Sequence, residues 1–174
     1  MINTSQRKER SSKRQGRETS EFDSKVLDLA RVTRVVAGGK RMRFRACVIV
    51  GDRKGRVGIG IRKGLDVADA VSKATRTAEK TMVSIPIVNE TIPHQVLQKF
   101  GAAKVILKPA SKGSGIIAGG SIRVVLDLAG VSNVMSKMLG SNNKMNNAQA
   151  TLLALQSLRS PEKFSVLRKK VNTE

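Results

Sequence analysis

The stretch with the clearest chemical meaning alternates arginine with apolar residues: Arg41-Met42-Arg43-Phe44-Arg45-Ala46. In a β-strand, a period of two places the three arginines on one face and the apolar side chains on the other. Residues 25–63 contain twelve Lys and Arg but only two acidic residues, Asp28 and Asp52. Because a row of like charges repels itself unless an anion compensates it, this face is predicted to bind a polyanion, with nucleic acid as the leading candidate.

We predict that the polyanion is RNA, recognised through its shape and its phosphates. The chain has no Trp or Tyr and only four scattered Phe, so it lacks the aromatic platforms on which single-stranded bases stack. Gly58 and Gly60 are expected on the same open face, where they either admit a closely approaching ligand or another chain, or mark a bulge. The predicted RNA contacts lie in the basic strands and their turns: Arg31, Arg34, Gly38, Gly39, Lys40, Arg41, Arg43, Arg45, Arg53, Lys54, Arg56, Arg62 and Lys63.

A glycine-rich loop at residues 111–121, just before a predicted helix, is the second chemically suggestive segment. Its spacing, Gly113-x-Gly115-x-x-Ala118, fits the fingerprint of dinucleotide-binding folds. The next acidic residue, Asp127, is too close to serve as the ribose ligand, which lies ~20 residues further on in such folds. No Gly-Lys-Ser/Thr follows, which excludes a Walker loop. The loop is therefore predicted to be either a flexible protein interface or a backbone nest that binds phosphate at the helix N-terminus.

The sequence predicts no catalytic activity, no cofactor and no metal site. His94 is the only histidine and Cys47 the only cysteine, and no second ligand stands at a useful spacing from either. Cys47 lies in an apolar run, so a buried thiol is expected. Asp66 and Asp69 belong to the first turn of a helix, where the helix dipole favours acidic side chains.

Composition agrees with a non-enzymatic nucleic-acid-binding protein. The 174 residues include 33 Lys and Arg against 13 Asp and Glu, a net charge of +20, and 40% are apolar, which is enough for a core. No apolar run approaches the ~18–20 residues of a membrane span, and the single cysteine excludes an internal disulfide, so we predict a soluble protein of a reducing compartment without membrane contact. Residues 1–23 are predicted to be a disordered basic arm, or a tail that only adds solubility, and residues 160–174 a basic tail.

The elements that position these residues are predicted to form two small α+β domains. Residues 24–84 show a β-β-β-α order, with a turn at 37–40 and a helix capped by Asp66. Residues 85–159 show a β-β-β-α-β-α order. Its predicted parts are a hairpin of 83–92 with 94–100, a buried strand at 102–109, a helix that ends at Gly130, a strand at 131–139 and a final helix.

Four blocks resemble the ribosomal protein S five family of bacterial-type small subunits: 32–64, 90–94, 105–143 and 148–155. GDRKGRVGIG, KPASKGSGIIAGG and KMLGSNN are specific in combination, and the resemblance covers about 25–158 in order. It implies a first domain similar to double-stranded-RNA-binding domains. The second domain would be of the βαβ type shared with the ribonuclease P protein and several ATPases.

The resemblance also implies roles for two loops. The turn from Val36 to Arg41 corresponds to a loop that reaches ribosomal RNA near the neck, beside the spectinomycin site, where the family usually has a basic residue in place of Ala37. The segment from Gly113 to Arg123 corresponds to a surface that meets ribosomal protein S four and affects translational accuracy. The implied interface residues are Lys112, Gly113, Ser114, Gly115, Gly119, Gly120 and Arg123.

Further implied partners are ribosomal protein S eight and nearby messenger RNA at the entry channel, without homo-oligomers. Two functions stay open. The favoured one is a structural constituent of the small subunit that binds ribosomal RNA and contributes to assembly and accuracy. The alternative is a protein cofactor of an RNA-processing enzyme, which the glycine-rich blocks disfavour. The ribosome would be cytoplasmic or, alternatively, that of an organelle.

Overall fold

The computed structural model describes residues 21–159, which form two packed α+β units. The elements in chain order are β1 Asp23–Val36, β2 Gly39–Gly51, β3 Arg56–Gly64, α1 Val67–Lys80, β4 Val83–Ser84, β5 Val96–Phe100, β6 Ala103–Pro109, β7 Ile116–Ile117, α2 Gly120–Ala129, β8 Val134–Gly140 and α3 Lys144–Gln156. The predicted α+β class and both predicted element orders are confirmed, but the three strands before α2 in the second unit are not all the predicted ones, and β4 is an additional short strand.

The first unit is an antiparallel sheet, ordered β1-β2-β3-β4, with α1 packed on one face. The Asp66 carboxylate accepts a hydrogen bond from the Val67 N–H at 2.7 Å, which caps α1 as predicted. Three alanines along α1 are fully buried against the apolar side of β2: Ala70, Ala74 and Ala78. Small side chains at this spacing let the helix axis approach the sheet closely.

Gly58 and Gly60 lie on this helix-covered face, so their predicted place on the open face is wrong. A Cβ added at Gly58 would collide with the carbonyl oxygen of Ala78, and one at Gly60 with that of Ala74. The glycines are neither a ligand approach nor a bulge. They are the sheet's half of a close helix contact, which the alanines of α1 complete.

The second unit is a four-stranded sheet, ordered β5-β6-β8-β7, covered on one face by α2 and α3. β7 runs parallel to β8, and α2 makes the crossover between them. Gly130 ends α2 in the left-handed conformation, at φ 84°, as the sequence predicted. Inward residues such as Val105 and Leu107 are fully buried, and none of the three helices found in the described part of the chain packs on the opposite sheet face.

The predicted hairpin between residues 83–92 and 94–100 is wrong. Within residues 83–92 only Val83–Ser84 is a strand, and it pairs with β3 of the first sheet, whereas β5 in the second half pairs with β6. Pro86 and Pro93 each lack a backbone donor, which prevents a continuous ladder through the intervening segment. The third strand of the second unit is instead the two-residue β7, inside the glycine-rich loop, and β8 begins at Val134 rather than at 131.

The two units share one continuous core. On the β2–β3 face opposite α1, Cys47, Ile49 and Ile59 pack in the same cluster as Leu128 of α2 and Leu155 of α3. This face was predicted to be uncovered, but the half of it nearest Gly51 is covered by the second unit. The two units are also joined by main-chain bonds: the Arg53 N–H donates to the Leu128 carbonyl and the Gly55 N–H to the Ala129 carbonyl, both at 3.0 Å.

Most of the predicted N-terminal arm and all of the predicted C-terminal tail lie in residues 1–20 and 160–174, outside the described residues. Asp23 already lies in β1, and the Phe22 ring lies 5.4 Å from the Arg56 guanidinium, so the predicted arm extends two residues too far. The domain boundary near residue 84 stays a prediction. Within residues 21–159, no helix is long and apolar enough to cross a membrane.

Candidate nucleic-acid interface and the glycine-rich loop

Five basic side chains lie together on the part of the first sheet that the second unit leaves open. This set, called the arginine face below, comprises Arg34, Arg41, Arg43, Arg45 and Lys63. The β-ladder places Arg34 directly opposite Arg41, and Lys63 directly opposite Arg45. Strand alternation puts all five on the side away from α1, since Phe44 and Ala46 between them pack toward the helix. Alternate residues of β2 are about 7 Å apart, so each arginine can contact a different phosphate.

The arginine face is electrostatically uncompensated. None of the ion pairs formed within residues 21–159 involves any of its five residues. The nearest acidic side chain on this side of the sheet, Asp28, stands opposite Cys47 and pairs with Lys144 at 3.3 Å. Four of the five side chains are exposed and Arg45 is half-buried. Like charges directly opposite each other destabilise a sheet, so the arrangement favours an external anion.

An open cavity of about 320 Å³ lies on the arginine face. Its walls combine apolar and basic groups, including Val32, Val36, Arg41, Arg43 and Lys63. Guanidinium groups at such a surface can bind phosphate oxygens with two parallel hydrogen bonds. The geometry is therefore suited to a phosphodiester backbone lying along β2.

The turn at the end of this face is narrow and exposed. Residues 37–38 form a two-residue turn between β1 and β2, and Gly39 has φ 133°, a conformation that side-chain-bearing residues rarely adopt. A Cβ at Gly38 would meet no atom within 4 Å. Together with exposed Lys40, the predicted contacts Gly38 and Gly39 thus lie at a protruding tip continuous with the arginine face.

The remaining predicted RNA contacts do not join this face. Arg31 and Arg62 lie on the side of α1, where the Arg62 Nε donates to the Thr77 hydroxyl at 2.8 Å. Arg53, Lys54 and Arg56 lie around the β2–β3 turn, at the other end of a 13-residue strand about 40 Å long.

Two of these side chains already have partners inside the protein. Arg53 pairs with Asp23 at 3.0 Å and Arg56 with Asp52 at 2.6 Å. Burial by itself raises the pKa of the Asp52 carboxyl, but hydrogen bonds from Arg56 and the Lys54 N–H outweigh it and hold that pKa below its ordinary value. These interactions shape the β2–β3 turn that contacts α2.

The glycine-rich loop is organised by one buried side chain that the sequence analysis missed. The Asn133 Oδ1 accepts hydrogen bonds from the Gly113 N–H at 3.0 Å and from the Gly115 N–H at 3.1 Å. Asn133 is 4% exposed, and both glycines have positive φ, 88° and 69°. A third amide, the Ser114 N–H, donates to the Ser111 carbonyl at 3.2 Å.

These bonds bear on the two predicted roles of the loop. A phosphate nest needs several free backbone N–H groups pointing at the anion. The three consecutive amides of residues 113–115 are all bound to acceptors within the protein. The nest interpretation is therefore disfavoured at these residues, and an exposed, pre-shaped protein surface is favoured.

The other predicted interface residues continue this surface. Arg123 lies on the first turns of α2 and its guanidinium donates to the Ile116 carbonyl at 2.9 Å, which ties the helix to β7. Gly119 caps α2 without a side-chain hydrogen bond, and Gly120 begins the helix. Lys112 and Ser114 are exposed at the loop tip. The structure thus brings all seven predicted interface residues into one segment.

The side chains considered for catalysis are in structural positions. Cys47 is 1% exposed, and burial raises the pKa of its thiol to about 11, a direction to which nearby Asp28 adds and which Arg45 opposes. The thiol is therefore protonated and poorly nucleophilic near neutral pH. Among residues 21–159, no three His, Cys, Asp or Glu side chains are close enough together to hold a metal ion.

A basic two-unit α+β fold with an uncompensated cationic sheet face is typical of proteins that assemble with nucleic acid. Residues 22–86 match the family described as "Ribosomal protein S5, N-terminal domain", and residues 98–168 match "Ribosomal protein S5, C-terminal domain". The "Small ribosomal subunit protein uS5" of Mycoplasmopsis agalactiae is 48% identical over 156 residues, covering 89% of this chain and 68% of its own length.

The chain belongs to the ribosomal protein S five family, whose members are structural proteins of the small ribosomal subunit rather than enzymes. The resemblance carried by the sequence blocks is thereby confirmed.

Proposed function

We propose that this protein binds ribosomal RNA of the small subunit through the arginine face and the adjoining turn. The observation that carries the proposal is the set of five cationic side chains on an open sheet surface, none of which pairs with an acidic residue of the described range 21–159. Phosphate neutralisation supplies most of the affinity of such a surface and makes it depend on salt. Arg34, Arg41 and Arg43 are the leading contacts, because they are both exposed and adjacent.

The protruding turn extends this contact beyond the sheet. Gly38, Gly39 and Lys40 form a tip narrow enough to enter a groove or to approach a backbone closely. Ala37 stands where a basic residue is usual in the family, so we assign the phosphate contact at the tip to Lys40 and Arg41. Arg53, Lys54 and Arg56 form a separate, weaker contribution at the other end of β2.

We further propose that the glycine-rich loop is a protein interface, with ribosomal protein S four as its partner. The internal use of the loop's amides and its fixed, exposed shape support a surface that another protein recognises. An interface whose rearrangement accompanies decoding would link this loop to translational accuracy. The proposal also includes contact with ribosomal protein S eight and a position near the entry of messenger RNA. It further includes a role in subunit assembly, in a cytoplasmic ribosome.

Co-sedimentation tests the RNA-binding proposal. The full chain should sediment with small subunits at moderate salt, and Arg41→Ala/Arg43→Ala should reduce the bound fraction because two phosphate contacts are lost. Leu65→Gln is a suitable control, since Leu65 is an exposed residue outside the arginine face. A wild-type protein absent from the small-subunit fraction, or a double variant that binds like the control, would contradict the proposal.

The glycine loop has its own expected phenotype. A bulky substitution at Gly115, where φ is 69°, or Arg123→Ala, which releases β7 from α2, should change the frequency of miscoding more than the affinity for RNA. Both quantities can be measured with reconstituted subunits. A large loss of RNA affinity with unchanged accuracy would instead support a phosphate-binding role of the loop.

A further inference from the structure

The outer face of the second sheet, on the side opposite α2 and α3, is a second surface that the proposed function leaves unused. Alternation along β5, β6 and β8 sends four lysines to this face: Lys99, Lys104, Lys108 and Lys137. The segment 102–109 was predicted to be a buried strand, and its inward residues, such as Val105 and Leu107, are buried. The outward half of β6 is basic and exposed.

The same face exposes large apolar side chains to solvent. Leu97 is 59% exposed, Ile117 49%, Met135 47% and Leu139 42%. The ladder sets Met135 next to Ile117 and Leu139 next to Lys104, so apolar and cationic groups are interleaved rather than segregated. Single exposed apolar side chains are common on protein surfaces, but several of them on one rigid sheet face indicate an interaction site.

The charges on this face are unbalanced. β5, β6, β7 and β8 contain no Asp or Glu, and Lys99 stands directly opposite Lys104. A directly opposed pair of like charges weakens a sheet unless an anionic group compensates it. The occupant of this face must therefore supply both apolar contact and negative charge.

We propose that the outer face of the second sheet docks a neighbouring protein whose contact surface has an apolar centre and Asp or Glu side chains around it. The inference rests on the protein's place in the ribosome. It concerns a surface that is separate from the arginine face but adjoins the glycine-rich loop at Ile117 and extends from there across β8, β6 and β5. Interfaces between proteins combine a desolvated apolar centre with a polar rim, and complementary charges fix their register.

Other occupants fit the chemistry less well. A second copy of this chain would bring four more lysines against the first four. Residues 1–20 hold six Lys and Arg against two Glu, and 160–174 hold four against two, so both ends of the chain are repelled by the face. RNA would leave the apolar side chains without partners, since this face offers neither arginine nor an outward aromatic ring for bases to stack on.

Paired variants of the full chain test the proposal. Leu97→Gln/Met135→Gln removes apolar contact without changing charge, and Leu65→Gln is the matched control, because Leu65 is 75% exposed and lies elsewhere. Variants are assembled into small subunits, washed with increasing salt and sedimented. The double variant should be released severalfold more than the control at a salt concentration that retains the wild type, while its binding to isolated ribosomal RNA stays unchanged.

A photo-crosslinking residue in place of Met135 identifies the occupant in intact subunits. The proposal expects a crosslink to a protein segment that contains Asp or Glu. A crosslink to RNA or to a second copy, or equal retention of Leu97→Gln/Met135→Gln and Leu65→Gln, would overturn it. Failure of the RNA-binding proposal would appear separately, as unchanged RNA affinity of the arginine-face variants.

Discussion

Asn133 shows how much of the glycine-rich loop depends on a single residue. Its carboxamide oxygen accepts two backbone N–H groups and its Nδ2 lies 3.5 Å from the Glu90 carboxylate. Buried polar groups are costly unless they are hydrogen-bonded, and here the bonds also hold Gly113 and Gly115 in left-handed conformations. The shape of the loop therefore depends on Asn133, which lies outside the loop, as well as on the glycines within it.

Asn133→Ala should loosen the loop without unfolding the protein. Two loop amides lose their acceptor, so we expect faster hydrogen exchange at Gly113 and Gly115 and a loss of about 1–2 kcal/mol in unfolding free energy. Asn142→Ala, an exposed change nearby, is the control. Unchanged exchange at the two glycine amides would show that Asn133 does not order the loop.

Sequence alone could not have identified Asn133. It stands between Ser132 and Val134, in no recognised motif, and its partners Gly113 and Gly115 are about twenty residues earlier in the chain. The cap at Asp66 and the stop at Gly130, by contrast, act within one turn of their own helices, so local sequence suffices to predict them.

At the scale of elements, the contact between α1 and the first sheet depends on residues with little or no side chain in both partners. Gly58 and Gly60 face Ala74 and Ala78 so closely that no Cβ fits. The alternation of β3 was predicted correctly from sequence, but the side that the glycines face was not. Which side the glycines face depends on which face of the sheet the helix covers. The alternation of residues along a strand does not contain that information, because it is a matter of tertiary packing.

Gly60→Ala should therefore destabilise the first unit strongly. The added methyl group meets the main chain of α1, which cannot yield as a flexible side chain would, so we expect a loss of about 3 kcal/mol. Gly38→Ala is the control, because a Cβ there has open space and the change should be almost neutral. Thermal or urea unfolding measures both, and equal stabilities of the two variants would contradict the close packing.

Strand prediction failed where proline and very short strands intervene. Residues 85–95 have a strand-like composition, yet their prolines break the ladder, and buried Ile85 and Ile92 anchor an irregular segment instead. β7 has two residues, too few for any period to be recognised.

At the scale of the whole molecule, the two units act as one body because they share a core and main-chain bonds. Gly51 and Gly130 allow this, since a Cβ at either would strike the backbone of the other unit. Lys25 and Asp127 add an ion pair across the same junction at 2.6 Å. The packing fixes the arginine face, the glycine-rich loop and the outer face of the second sheet in relation to one another.

Contacts inside the protein limit which basic residues are available to the proposed RNA partner. The charge pattern predicted a single cationic face, but the second unit covers part of it, and Arg53, Arg56 and Arg62 have partners within the protein. The alternating run Arg41–Arg45 kept its predicted orientation, because a strand with one apolar and one basic face has a single way to bury the apolar side.

The most direct test of the account is the salt dependence of binding to small-subunit ribosomal RNA. Arg41→Ala/Arg43→Ala/Arg45→Ala is compared with Lys99→Ala/Lys104→Ala/Lys137→Ala, which removes the same charge from the outer face of the second sheet. Each lost phosphate contact lowers the slope of log K against log salt by about 0.7–0.9, so the arginine variant should lose about 2 to 3 in slope. The lysine variant should keep a slope close to that of the wild type. Equal slopes for the arginine variant and the wild type would contradict the claim that the arginine face binds phosphate.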